Sequence, residues 1–399
     1  MKEDIKLKYV TKDEKIEIIS NTKISNIDDY IEYHFLNDDK LVLEKIDNNS
    51  YYLYPSLGFQ KDNLYHIIIK DKNISFKSTK KKELLLKIKS DDIKLPKYWK
   101  KYLDDKIPSL IDKTKNNDFN FILFSDVHIN TNRLKFAAII KYLIDKVRVD
   151  EVICNGDVIT SYDTLIKAYD ELIKFKELTK GIKYLYVYGN HDSNAKDYSK
   201  DENVVKLNNF KYLIINNDKI KYEKNKMYGV YDIDDKKIRI IVLDTGACKV
   251  SSLDEEELEY FKSKLLERSD YNILIFAHRI FAGTELYELN PNIFIHESGK
   301  KIKDAIDEVY DKMTSSIISI FSGHNHIDCM DENSKYNNIA RTCDAGDRNS
   351  LFDANYQYRD KQTTKEQAID YVSINTKLRT IDVIRIGCGD ALSDLSIKY

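Results

Sequence analysis

Hydrophobic and polar positions alternate in two different ways along the chain. Up to about residue 95, short apolar runs are separated by Asp/Asn clusters: Lys40–Glu44, Tyr51–Tyr54 ahead of Pro55, and Leu64–Ile69. Runs of this length bounded by turn formers predict strands, hence a small β-rich domain over 1–95. Pro96 and Pro108 bracket Lys97–Leu103, which predicts a short amphipathic helix, and the polar stretch Lys113–Asp118 completes a connector over 96–118. From residue 119 onward, strand-length apolar runs (Phe119–Phe124, Glu151–Cys154, Tyr184–Tyr188, Arg239–Leu243, Asn272–Phe276, Ile317–Phe321) alternate with helix-period segments (Leu134–Val147, Leu165–Leu178, Glu255–Leu266, Lys300–Tyr310). That alternation predicts an α/β domain over 119–399 with a largely buried sheet. Ser252 and Glu255 have capping-box spacing at the head of the third helix. Past residue 336 only strand-like runs recur, Asp370–Asn375 and Thr380–Ile386, as if to complete a second sheet.

Composition narrows the function. Sixty-four Lys+Arg against 66 Asp+Glu leave a net charge of −2, so long nucleic acid is disfavoured as a partner. Five scattered cysteines without C-x-x-C spacing make a disulfide scaffold or cysteine zinc site improbable. The acidic start, Met1-Lys2-Glu3-Asp4, lacks the pattern of a signal peptide, and no run approaches the ~18 apolar residues of a membrane span, so the expectation is a soluble protein, cytoplasmic on synthesis.

The chemistry lies where the apolar runs end. Phe119–Phe124 leads into Ser125-Asp126-Val127-His128, Glu151–Cys154 into Asn155-Gly156-Asp157, and Tyr184–Tyr188 into Gly189-Asn190-His191-Asp192. Asn272–Ala277 leads into His278, and Ile317–Phe321 into Gly323-His324-Asn325-His326. In an open α/β sheet such C-terminal ends line one crevice. Asp126, His128, Asp157, Asn190, His278, His324 and His326 form a thiolate-free N/O set suited to Mn²⁺, Fe or Zn²⁺, too large for one tetrahedral ion and sufficient for two sharing a carboxylate. The i, i+2 pairs Asp126/His128 and His324/His326 share a side wherever the backbone is extended. Gly156, Gly189 and Gly323 permit tight turns and close backbone approach to phosphate.

This ordered series, D-x-H, G-D, G-N-H-D, H and G-H-x-H, resembles the calcineurin-like metallophosphoesterase superfamily over roughly residues 119–330. The resemblance implies two packed mixed β-sheets flanked by helices. It implies two divalent metal ions, one held by Asp126, His128, Asp157 and His326, the other by Asp157, Asn190, His278 and His324. It also implies hydrolysis of a phosphoester with His191 as general acid, oriented by Asp192. Arg279, Arg133 and Asn130 are candidate phosphate contacts because guanidinium forks match phosphate oxygens, and Tyr162 is a candidate stacking residue. Asp328 is a candidate partner for a ligand imidazole. His34, His66 and the run Lys80–Lys82 read as ordinary strand or surface residues, and His296 as an ordinary residue of a long loop rather than a substrate contact.

A second resemblance lies outside the motifs. The runs Pro96–Trp99, Leu103–Ile107, Gly156–Asp163 and Thr380–Gly387 look like metallophosphoesterases of phage and prophage tails in low-GC bacteria, although Gly387-Cys388-Gly389-Asp390-Ala391-Leu392 departs from their usual ending. It implies a phosphodiester of a cell-surface glycopolymer as substrate, a virion location, and tail or baseplate proteins or a surface polymer as partners of the N-terminal domain. The competing expectations are a cytoplasmic phosphodiesterase acting on nucleotides or nucleic acid, and a structural adhesion protein with a vestigial metal site.

Overall fold

The structure is a computed structural model that describes residues 5–10, 15–20, 31–35, 40–57, 64–69, 72–77, 94–129, 134–160, 165–195, 204–245, 253–279, 297–324, 326, 328–332, 335–340, 359–360, 362–390 and 394–399. It separates into two compact units, Met1–Asp91 and Asp92–Tyr399.

The first unit holds β1 (Ile5–Val10), β2 (Lys15–Ser20), β3 (Ile31–Phe35), β4 (Leu41–Lys45), β5 (Ser50–Pro55), β6 (Leu64–Ile69) and β7 (Lys72–Lys77). They form two antiparallel sheets, ordered β1-β2-β5-β4 and β3-β6-β7. Alternation sets the faces: Ile16, Ile18, Tyr51 and Leu53 are buried, while Lys15 spans the opposite face above the Tyr52 and Tyr54 rings.

The second unit opens with α1 (Lys97–Thr114) and continues through β8 (Phe119–Phe124), α2 (Phe136–Lys146), β9 (Glu151–Cys154), α3 (Leu165–Leu178), β10 (Leu185–Tyr186), α4 (Leu207–Ile214), β11 (Lys221–Tyr222), β12 (Gly229–Ile233), β13 (Ile238–Leu243) and α5 (Glu255–Glu267). There follow β14 (Asn272–Ala277), α6 (Glu297–Val309), β15 (Ser316–Ser322), β16 (Cys329–Glu332), β17 (Asn337–Ala340), β18 (Ala368–Asn375), β19 (Thr380–Gly387) and β20 (Leu395–Lys398). The strands build two mixed sheets, β10-β9-β8-β18-β19-β20 and β11-β12-β13-β14-β15-β17-β16. Both faces of each central strand are covered, which is why those strands read as unbroken apolar runs. Phe121 of β8 packs edge-on against Phe276 and Phe321 of the opposing sheet, at 5.9 and 5.7 Å between centroids. On the outer face of the first sheet Phe124 stacks with Phe136 of α2 and Phe175 of α3. On the outer face of the second, Ile273, Ile275 and Ala277 pack with Phe261 and Leu265 of α5 and Ile302 and Ile306 of α6. No helix among the described residues is long and apolar enough to cross a membrane.

Three local expectations are corrected. The helix after Pro96 does not stop short of Pro108 but runs through it to Thr114. Pro108 removes one backbone donor, and burial of Trp99, Leu103, Leu110 and Thr114 along one stripe outweighs that loss. The Trp99 indole and Tyr98 hydroxyl both donate to Glu366 Oε1, at 2.9 and 2.6 Å, so α1 is a packed part of the second unit. The C-terminal strands do not complete the second sheet; β18 pairs antiparallel with β8 and extends the first. The cap of α5 is Asp254, whose carboxylate accepts from the Glu257 amide at 2.8 Å, and Ser252 lies outside the described residues. Glu257 in turn accepts from the Asp244 amide at the exit of β13.

Candidate metal centre

Parallel pairing brings the motif turns together. β8, β9 and β10 run parallel in one sheet and β13, β14 and β15 in the other, so their C-terminal ends lie along one edge of each sheet. Beyond the strands, the Asp126 amide donates to Gly156 O at 2.9 Å, His128 N to Asp157 O at 3.2 Å, and Gly323 N to His278 O at 2.9 Å. The ladders thus carry on into the turns and hold them side by side.

Two side-chain groups result, each with its nitrogen and oxygen atoms within 4.8 Å of one another: Asp126, His128 and His326, and Asp157, His278 and His324. His128 Nδ1 faces Ile159 O at 3.2 Å and His278 Nδ1 faces Asn155 O at 2.6 Å. A carbonyl only accepts, so each Nδ1 carries a proton and each Nε2 is the nitrogen left to face the cluster. His128 Nε2 then lies 3.2 Å from His326 Nε2, and His278 Nε2 lies 3.1 Å from Asp157 Oδ2. Two nitrogens about 2.0–2.1 Å from one ion at tetrahedral or right angles stand about 2.9–3.4 Å apart. The observed spacing is compatible with two ligands of one ion. Asn190 Oδ1 is buried with no hydrogen-bond partner among the described residues, the state of an acceptor suited to a cation. The donor set fits divalent metal.

The backbone is strained at these positions. Asp126, His128, Asp157, His324 and His326 all have positive φ, between 45° and 70°. The i, i+2 pairs therefore do not share a side through extended backbone, as their spacing suggested. Left-handed residues in the turns aim them, at a cost of roughly 1–2 kcal/mol each. The glycines serve the ligands themselves rather than leaving room for phosphate alone: a Cβ on Gly189 would stand 2.3 Å from Asp157 Oδ1, and one on Gly323 2.6 Å from Asp126 Oδ2.

Asp126, Asp157 and His278 are sealed from solvent, whereas the His191 side chain retains 22% of its exposure. The His191 side chain is more exposed than those of His128, His278 and His326. Its Nε2 is 3.9 Å from Asp157 Oδ2, and its amide donates to Asp157 Oδ1 at 2.8 Å. Burial pushes the His191 pKa down, against the pull of Asp157. Burial also takes His128 down to about 4. For His278, burial is overcome by the Asp157 carboxylate, which raises it to about 9, while the surrounding imidazoles hold Asp157 well below the usual carboxylate range despite burial.

Asp192 has contacts that its place in the motif did not suggest. It accepts from the amides of Asp157 (3.2 Å), Val158 (2.9 Å) and Gly189 (2.7 Å) and from the Tyr186 hydroxyl (2.6 Å). It clamps the turn carrying Asp157 to the turn carrying Asn190 and His191. Burial and the neighbouring Asp157 push its carboxyl up to about 7. Arg279 is buried, with its amide donating to Thr245 Oγ1 at 3.0 Å. Asp328 accepts from the Arg385 guanidinium, not from His326, whose Nδ1 has no hydrogen-bond partner among the described residues. Arg133, Asn130, Tyr162 and His296 lie outside the described residues. Sequence reasoning missed the carbonyls of Ile159 and Asn155, which left no signal because any residue supplies one. It also missed Ser125, whose hydroxyl donates to Asp126.

The calcineurin-like phosphoesterase family model matches residues 119–328, just over half of the 399-residue chain. The chain belongs to the calcineurin-like phosphoesterases. It is a metal-dependent phosphoester hydrolase by family. Among solved structures this phosphoesterase is similar to purple acid phosphatase PPD1 from yellow lupin seeds, with 10% identity, 96% of this chain and 72% of that chain covered, and a TM-score of 0.49. It is similar to GAP50, the anchor in the inner membrane complex of Plasmodium, with 12% identity, 70% and 88% covered, and a TM-score of 0.44. It is also similar to the NAD nucleotidase of Haemophilus influenzae, with 13% identity, 68% and 50% covered, and a TM-score of 0.36. No curated protein matches the chain.

Proposed function

We propose that the protein hydrolyses a phosphodiester, with Asp126, His128, Asp157 and His326 holding one divalent ion, Asp157, Asn190, His278 and His324 the other, and His191 as general acid. The observation that carries the reading is the convergence of imidazole nitrogens and carboxylate oxygens, 3.1–3.2 Å apart, at the ends of parallel strands. When bound, the ions supply Lewis acidity, polarising phosphoryl oxygens and lowering the pKa of water near neutrality. His191 supplies what Lewis acidity lacks, a proton at its imidazole for the departing alkoxide. Asp192 keeps His191 and Asp157 in register through the two turns it joins. Asp157 accepts the His191 amide on Oδ1, which leaves Oδ2 directed at His278.

The diester, a phosphate-linked cell-surface glycopolymer, is supported by the resemblance of the flanking runs to phage-tail enzymes and by the β-rich unit Met1–Asp91, which would serve as the attachment module on a virion. With Mn²⁺ supplied, bis(p-nitrophenyl) phosphate is expected to turn over faster than p-nitrophenyl phosphate. The reverse order would refute the diester, and inertness towards both would refute the enzyme.

Metal uptake is also expected to depend on pH in a site-specific way. In metal-free protein His278, raised to about 9, holds a proton on Nε2 at neutral pH, whereas His128, lowered to about 4, holds none. An ion entering beside His278 must displace that proton, so its affinity rises with pH towards about 9, a rise to which His128 adds nothing at the other ion. Calorimetric titrations in buffers of different ionisation enthalpy, at pH 6 to 9, report the proton released. Equal pH dependence at both sites would contradict the assignment.

A further inference from the structure

The run Thr380–Gly387 stands apart from the motifs, and phosphoester chemistry leaves it without a task. Its Arg385 is fully buried on β19, with every guanidinium nitrogen engaged. Nε donates to Asp370 Oδ1 on β18 at 2.7 Å, Nη1 to Cys388 O at 3.0 Å, and Nη2 to Asp328 Oδ1 at 2.8 Å. Asp328 lies two residues beyond His326, in the connection from β15 to β16, and so belongs to the opposite sheet. Asp370 is paired with Leu123 of β8, three residues before Asp126. One planar, rigid cation therefore joins the strand that delivers Asp126 to the loop that delivers His326.

His326 needs such a tie. Its backbone is left-handed at φ 56°, and its Nδ1 has no hydrogen-bond partner among the described residues, so the ring lacks the carbonyl anchor that fixes His128 and His278. Arg385 and Asp370 also lie beyond the family-matched residues 119–328. We propose that Arg385, acting through Asp328, is a positioning residue that holds His326 against Asp126 and His128, as a strut from the C-terminal hairpin to the last ligand loop. The inference rests on the metal reading of the preceding section.

Removing Arg385 would take the cation away from the Asp370 and Asp328 carboxylates and endanger folding. Asp328 is the better probe, because its loss leaves Arg385 paired with Asp370. Metal-stripped wild-type, Asp328→Asn, Asp328→Ala, His326→Ala and His278→Ala proteins, checked for fold by circular dichroism, are titrated with Co²⁺ and followed by visible absorption. Asp328→Asn keeps an oxygen acceptor for Nη2 and is expected to bind both ions within about threefold of wild type. Asp328→Ala is expected to weaken by about 10–100-fold the ion that His326→Ala weakens, and to spare the ion that His278→Ala weakens. Wild-type affinity for both ions in Asp328→Ala, or equal weakening of both, would overturn the strut while leaving the metal reading intact. A wild-type protein that binds no Co²⁺ would overturn the metal reading and the strut with it.

Discussion

His191→Gln is expected to lower kcat by about 10²–10⁴-fold while leaving both metal ions in place, the range that loss of a positioned proton donor produces. Glutamine fills a similar volume and donates a hydrogen bond, but it has no proton to transfer. The geometry explains why the ions are retained. It is the His191 backbone amide, which any residue supplies, that donates to Asp157, and the ring lies edge-on to His128 at 4.9 Å between centroids. The pH profile gives a second reading. Burial places the His191 pKa below the ordinary histidine value, so the acid form is lost as pH rises through it. A more acidic imidazolium is also the readier donor, so its smaller population is partly offset. Wild-type kcat at saturating metal therefore falls as pH rises through that pKa, and the variant loses this limb. Metal analysis alongside steady-state kinetics checks both statements; loss of metal in His191→Gln would refute the role given to His191.

Asp157→Asn is expected to abolish turnover by removing metal, the opposite division of effects. On the proposed assignment Asp157 is the carboxylate that both ions share, and it stands 3.1 Å from His278 Nε2 within a sealed pocket. An amide there presents one neutral oxygen where two half-charged ones stood, and its NH₂ group would point a donor at a ligand or at the His191 amide. The fold has less at stake, since the Asp157 backbone is held by Asp192 and by His128 N rather than by its own carboxylate. Metal content should drop from two ions to one or none while circular dichroism of the metal-free variant shows the wild-type fold.

Much of this architecture was legible because burial on both faces writes itself into the sequence. Strands such as Phe119–Phe124 and helices such as Leu165–Leu178 occur where their apolar runs stand. The candidate ligands stood out because they follow those runs directly. What escaped was whatever depends on distant partners or on backbone conformation. Nothing in Asp126, His128 or His324 announces a left-handed φ, since that conformation is imposed by the neighbouring turns. Pro108 reads as a breaker until the docking of Trp99 on Glu366 is known. The pairing of β18 with β8, across some 250 residues of chain, has no local signal. Asp192 was recognisable as important but not as a clamp, because its partners are backbone amides brought in by two other turns.

The central claim is that this set of His, Asp and Asn side chains holds two divalent ions. Elemental analysis of purified protein, dialysed free of loosely held metal and measured beside Asp157→Asn, tests it most directly. The account predicts two divalent transition-metal ions per wild-type chain and one or none in the variant. A wild-type chain that carries no ion, or a variant that keeps both, would contradict it.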